Sequence, residues 1–184
     1  HLPVILKSES ELQGCRKNIE QLKDNLTNQI EESTKKQKES LDTLTSQSSY
    51  GAALGSVLTT MLWKTSKTEE VIATFIETNT LNQFLNLAMV TMTSFRETYK
   101  KGLPDAETNE FKFIVALLGI YINIAAQRAG RDFILDREIG IDFIKSSLDY
   151  LGEIPMPSGA LLKRLILMLL FNINIDKRGS LLIE

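Results

Sequence analysis

Two amides interrupt otherwise apolar helical segments: Asn123 within Tyr121-Ile122-Asn123-Ile124-Ala125, and Asn172 within Leu170-Phe171-Asn172-Ile173-Asn174. A buried carboxamide costs free energy unless its donor and acceptor are paired. Two arrangements satisfy it. On an open helix face it grips the backbone of an extended peptide through both groups. Alternatively it bonds a neighbouring helix end and fixes packing. Arg128 and Arg131 flank Gly130, with Arg137 close behind. Guanidinium groups clamp carboxylates bidentately and lay their stems on apolar surface; a solvated helix end is the other reading. Lys163 and Arg164 offer the same pair of readings one unit later. The candidate partner-binding set is therefore Asn123, Arg128, Arg131, Arg164 and Asn172.

The reactive groups of an enzyme are scarce. The chain has one histidine, His1, and one cysteine, Cys15, too few for a zinc site or a nucleophile-base pair. No G-x-x-x-x-G-K-[ST] or G-x-G-x-x-G loop occurs to cradle phosphate. The adjacent acids Glu31-Glu32 and Glu69-Glu70 sit on polar, solvated helix positions, which do not suit general acid-base work. The expectation is a non-enzyme with no cofactor and no metal. A formal charge of -2 over 184 residues leaves no electrostatic footprint for nucleic acid. The longest apolar runs, Phe113–Ile122 and Leu165–Ile173, fall short of the ~18–20 residues that span a bilayer, so no membrane partner is expected. A single cysteine excludes an intrachain disulfide and fits a reducing compartment. His1-Leu2-Pro3 resembles no leader and suggests an excised fragment or a tag remnant. The sequon Asn25-Leu26-Thr27 reads as chance.

The elements that position these residues are helical. Leu117-Leu118, Asn123, Gly130 and Phe133-Ile134 recur 49 residues later as Ile166-Leu167, Asn172, Gly179 and Leu182-Ile183. A fixed period with helical content is the mark of an α-solenoid. A long apolar helix running through Ala129, a break at Gly130, a short helix over 131–136 and an amphipathic helix over 141–151 match the armadillo three-helix unit. Earlier helices are expected over 71–77 and 81–99, with Thr68 and Thr108 as N-caps. The second copy of the repeat reaches Glu184 as its next helix begins, so the array reads as truncated at the C-terminus. Leu165, Leu169, Leu181 and Leu182 are then expected to meet another chain or further repeats. Trp63 and the phenylalanines 75, 84, 95, 111, 113, 133, 143 and 171 are assigned to the core.

Residues 1–48 differ in character. Leu12, Cys15, Ile19, Leu22 and Leu26 follow heptad spacing; a second register shifted by four residues takes up Ile30, Thr34, Gln37, Leu41 and Leu44. Such a shift is a stutter, which unwinds a coiled coil locally without ending the helix. A parallel self-assembly through Leu12, Ile19, Leu22, Leu26, Ile30, Leu41 and Leu44 and a solvated single helix are both open. Ser46–Ser49 reads as a loop or a weak spot in a continuing helix. The fold expected is all-α: a long coiled-coil helix over 1–48, then an armadillo-like α-solenoid over 49–184.

Tyr50, Gly51-Ala52-Ala53, Leu62-Trp63, Ser66, Glu69-Glu70-Val71 and Ser94-Phe95, with the group Ala116-Leu117, Gly119-Ile120, Asn123, Ala125-Ala126, Gly130-Arg131 and Phe133, resemble the heat shock factor 2-binding protein family. The resemblance implies an N-terminal coiled coil joined to a dimerising armadillo domain. It also implies binding of a disordered segment of the breast-cancer type 2 recombination mediator, a role in meiotic homologous recombination, and a place in the nucleus on chromosomes; the cytoplasm is the alternative. The family's mediator-binding arginine corresponds to Arg131. The functional reading is a self-associating adaptor that holds a partner peptide. Its rival is a structural spacer in a cytoskeletal, axonemal or chromosome-axis assembly.

Overall fold

The computed structural model describes the backbone of residues 2–184 and the side chains of residues 11–184. His1, on which the leader and tag readings lean, lies outside the described residues. Eight helices and no strand occur among these residues: α1 (Leu2–Thr65), α2 (Glu69–Glu77), α3 (Thr80–Thr98), α4 (Asn109–Ala126), α5 (Arg128–Leu135), α6 (Glu138–Glu153), α7 (Ala160–Asn174) and α8 (Lys177–Ile183). The chain divides into two compact units, residues 1–48 and 49–184. The first is helical from Leu2 onward, with Leu12, Ile19, Leu22, Leu26, Ile30, Leu41 and Leu44 exposed. Ser46–Ser49 is helical, so the loop alternative falls: serines weaken a helix without ending it.

The second unit is a stack. α2 packs on α5, α3 on α6 and α4 on α7, so α2–α3–α4 is one three-helix layer and α5–α6–α7 the next. The last part of α1 precedes them as a first rung, with the Trp63 indole against the Gly119 backbone of α4. α4 is apolar on nearly every side because it is covered on nearly every side: Ile114, Ala116, Leu117, Leu118, Ile120, Tyr121, Ile122, Ile124 and Ala125 are all buried. It is long and apolar enough to cross a membrane by length and composition, unlike the shorter run read from sequence, yet it serves as the core helix. The Tyr121 ring stacks on Phe143 of α6 at 4.1 Å, and burial drives its hydroxyl pKa far above the usual tyrosine range.

The corners between helices share one construction. Gln127, Arg137 and Asp176 are extended residues at the N-caps of α5, α6 and α8. Their N–H groups donate back to the carbonyls of Ile124, Ile134 and Ile173 at 3.2, 3.3 and 3.1 Å. Three residues beyond each N-cap stands a glycine: Gly130, Gly140 and Gly179. A Cβ on any of them would overlap the same isoleucine carbonyl oxygen. This corrects the expected break at Gly130. α4 ends at Ala126 rather than Ala129, and Gly130 lies inside α5; the extended residue makes the corner, and the glycine lets the two backbones close on it. The caps also divide. Thr108 accepts a hydrogen bond from Phe111 N–H at 3.3 Å, whereas Thr68 occupies its N-cap position without a side-chain bond.

Gly130→Ala and Gly179→Ala are each expected to destabilise the fold by about 2 kcal/mol or more, through overlap in a corner with no slack. Gly51→Ala, at an open helical position with nothing within 4 Å, is expected to stabilise by about 0.5–1 kcal/mol. Chemical denaturation of the three variants distinguishes the two signs.

Candidate partner-binding surface

The two asparagines stand on adjacent rungs. Asn172 on α7 donates through Nδ2 to the Ile122 carbonyl of α4 at 3.1 Å. Asn123 on α4 donates to the Trp63 carbonyl of α1 and to Ser66 Oγ, both at 3.0 Å. Ile122 is the residue before Asn123, so each amide reaches the residue before the corresponding position on the preceding rung. By that rule Lys64 is the counterpart of the asparagines on α1. A lysine there hides the earliest copy of the repeat from sequence comparison. The packing arrangement foreseen as one alternative thus occupies both Nδ2 groups. The Oδ1 atoms accept no hydrogen bond among the described residues, and both side chains are only half-buried.

Arg131 is buried, 9% exposed, beneath the end of α4. Its Nη1 donates to the Ala125 carbonyl at 2.7 Å and to the Ala126 carbonyl at 3.3 Å. It thereby pairs carbonyls that the helix end leaves without internal partners. Arg128, by contrast, has a side chain that is 91% exposed, with Asp132 at 3.9 Å. Arg137 lies flat on the Phe133 ring, its guanidinium carbon 3.2 Å from the centroid. Arg164 is exposed and makes no ion pair among the described residues. It lies two turns before Asn172, about 12 Å along the helix. The five candidates therefore form no single cluster. Asn123, Asn172 and Arg131 hold rungs and corners together, while Arg128 and Arg164 project from them.

Sequence reasoning misjudged the phase of α7. Leu165 and Leu169, expected to face outward, are buried at 4% and 0%. Phe171, assigned to the core, is 70% exposed, and Leu167, Met168 and Ile175 are exposed beside it. Leu181 faces outward as expected and Leu182 is half-buried. The 49-residue period held the missing signal. Leu118 and Ile122, the counterparts of Leu167 and Phe171, are buried on α4, which has a rung on each side. The same positions on α7 carry apolar side chains with nothing over them among the described residues. With Arg164 they form a strip at helical spacing, and α7 contains no acidic residue.

α8 is pinned from one point. Asp176 caps it by accepting from Arg178 N–H at 2.8 Å, and the Arg178 guanidinium reaches Asp132 of α5 and, at 2.6 Å, Asp136 at the C-cap of α5. Arg178 holds the Asp176 carboxyl well down, to about 2, through its side-chain and backbone hydrogen bonds. No cluster of histidine, cysteine and acidic side chains able to hold a metal occurs among the described residues.

Stacked three-helix layers, cross-linked by amides from rung to rung and presenting side chains along their helices, define a helical-repeat scaffold. A family profile described as Heat shock factor 2-binding protein ARM-like domain matches residues 52–178. Heat shock factor 2-binding protein of Mus musculus is 32% identical over 136 residues, which is 74% of this chain and 40% of that protein. The chain belongs to the heat shock factor 2-binding protein family and matches about two-fifths of the length of its mouse relative.

Asn172→Leu is expected to cost about 1 kcal/mol, the loss of one inter-rung bond whose acceptor sits within α4, and Asn123→Leu about 1–2 kcal/mol, since it loses two bonds, one of them to the Trp63 carbonyl in the last turn of α1. Arg131→Ala is expected to cost about 2 kcal/mol. Thermal unfolding of the variants checks both. The lowered pKa of Asp176 implies that its contribution is complete above its unfolded value near 4 and is lost as pH falls toward about 2. Acid titration by NMR is expected to place the Asp176 midpoint there, and Arg178→Gln is expected to move it upward.

Proposed function

We propose that the chain is a non-catalytic adaptor that self-associates through its N-terminal helix and binds a peptide segment of a partner protein. The partner in this reading is a disordered segment of a recombination mediator, the process is meiotic homologous recombination, and the location is the nucleus. The observation that carries the adaptor reading is membership of the heat shock factor 2-binding protein family, whose mouse relative is named for binding another protein. A repeat stack supports it physically, since such folds present long surfaces to extended chains.

The proposed contacts are the groups that the stack leaves free. Arg128 and Arg164 supply positive charge for an acidic segment. The Oδ1 atoms of Asn123 and Asn172 accept N–H groups from the bound backbone, while their Nδ2 groups stay committed to the preceding rung. Arg131 contributes by fixing the corner from which Arg128 projects, and it reaches the partner only at its exposed margin. Ordering a disordered segment costs free energy, so tight capture draws on a long interface or on two stacks acting together.

Pulldown of the mediator segment is expected to fall about tenfold or more in the double variant Arg128→Glu/Arg164→Glu, with helicity and thermal midpoint unchanged. Undiminished capture would overturn the contact assignment. Leu22→Asp separates the spacer reading: under the adaptor reading it abolishes self-association but leaves capture of the isolated segment intact.

A further inference from the structure

The second unit carries a crevice that none of the five partner-binding candidates lines. It encloses about 160 Å³ where the ends of α3 and α6 meet the loop that follows α3. Arg96 and Glu153 form one wall, with Arg96 Nε donating to Glu153 Oε2 at 2.8 Å and Nη2 donating to Oε1. The guanidinium carbon lies 5.7 Å from the centroid of the Tyr150 ring. Leu103 and Pro155 supply the apolar part of the lining.

The lining offers donors and no free carboxylate. Glu153, its one acid, already gives both oxygens to Arg96. Tyr150 is 5% exposed, and its hydroxyl makes no hydrogen bond among the described residues. The unbonded Tyr121 Oη and Ser147 Oγ are sealed from solvent; the Tyr150 oxygen is not, because it borders the crevice. Tyr99, half-buried on the same wall, has an equally unbonded hydroxyl. Burial, and then the nearby Glu153, raise the pKa of Tyr150; burial, and then Glu110, raise that of Tyr99. Both hydroxyls therefore keep a proton to donate at neutral pH. Arg96 Nη1 and Lys101 Nζ are also without partners among the described residues. Lys100, paired with Glu97 at 2.5 Å, adds charge at the rim.

Two helix ends close together call for a cation by themselves, since their last carbonyls carry partial negative charge. Arg96 answers that demand. It does not explain two tyrosine hydroxyls left without acceptors, which is a costly arrangement unless something in the crevice receives them. The volume equals that of about five waters in the liquid, room for one small tetrahedral group and a short stem but not for a ring as well. A phosphate monoester brings three acceptor oxygens and close to two negative charges. A carboxylate brings two oxygens and one charge, which leaves part of the donor set unmatched. Leu103 and Pro155 suit the carbon stem of a side chain better than a free, fully hydrated ion.

We propose that this crevice holds the phosphate group of a phosphorylated serine or threonine side chain on a partner protein, with Arg96, Tyr99, Lys101 and Tyr150 as its donors. Glu153 is a positioning residue: it fixes the Arg96 fork and leaves Nη1 for the ligand. The site is separate from the peptide surface assigned above and stands or falls independently of it.

Three probes test it on the full 184-residue chain: N-acetyl-O-phosphoserine amide, N-acetylglutamic acid amide and inorganic phosphate. Titrations are followed by NMR at the Arg96 Nε–H and at the backbone amides of Gly102 and Leu103. The phosphoserine probe is expected to give saturable shifts and to bind about tenfold or more tightly than the glutamate probe. Tyr150→Phe keeps the ring beneath Arg96 and is expected to weaken binding about tenfold without lowering the thermal midpoint. Lys101→Gln, at an exposed position, is expected to weaken it about threefold. Absence of a saturable shift, or undiminished affinity in both variants, overturns the site. A glutamate probe that binds as tightly overturns the choice of phosphate. Inorganic phosphate that binds as tightly as the phosphoserine probe overturns a side chain as its source.

Discussion

The second unit depends on how closely one helix can leave another. At three corners an isoleucine carbonyl near the end of a helix lies directly against the Cα of a glycine early in the next. The extended residue before each following helix turns the chain, and its N–H holds the same carbonyl in place. Only glycine allows both backbones to occupy that space. The angle between successive helices is thereby set by backbone alone, without waiting for side chains to pack. Because Gly130 and Gly179 are equivalent in the repeat, α5 leaves α4 as α8 leaves α7, and the layers can stack with their rungs aligned.

The asparagine amides complete that alignment. A glycine corner sets direction, but a stack of apolar helices can still slide along its axis at little cost. An amide committed to one carbonyl of the preceding rung removes that freedom, because any slip breaks a half-buried hydrogen bond and strands its donor. Registry within the stack and availability for a ligand divide between the two ends of one side chain, Nδ2 inward and Oδ1 unclaimed.

Much of this was legible in the residues, and the misreadings share a cause. The all-α class, the helix caps at Thr108 and the 49-residue repeat follow from local pattern. Gly130 was read as a helix breaker because glycine's intrinsic preference points that way. Its actual use, close approach, depends on Ile124 across the corner and leaves no local trace. The outward side of α7 was missed because almost every position of that helix is apolar. Its phase emerges only when each residue is compared with its counterpart on the doubly covered α4. The counterpart of the asparagines on α1 was invisible because Lys64 has neither the shape nor the chemistry of the amide. Arg131 looked like a surface clamp, since nothing in its neighbourhood of sequence announces that the end of α4 folds over it.

The chain's lone indole has a use beyond packing. Trp63 lies half-buried on Gly119 and offers its backbone carbonyl to Asn123, so its emission is sensitive to whether α1 has docked on α4 and is indifferent to events between α4 and α7. Intrinsic fluorescence consequently reports the assembly of the leading layer by itself, and far-ultraviolet dichroism reports the whole. Any gap between the two signals during unfolding would be a direct reading of how cooperatively the layers melt.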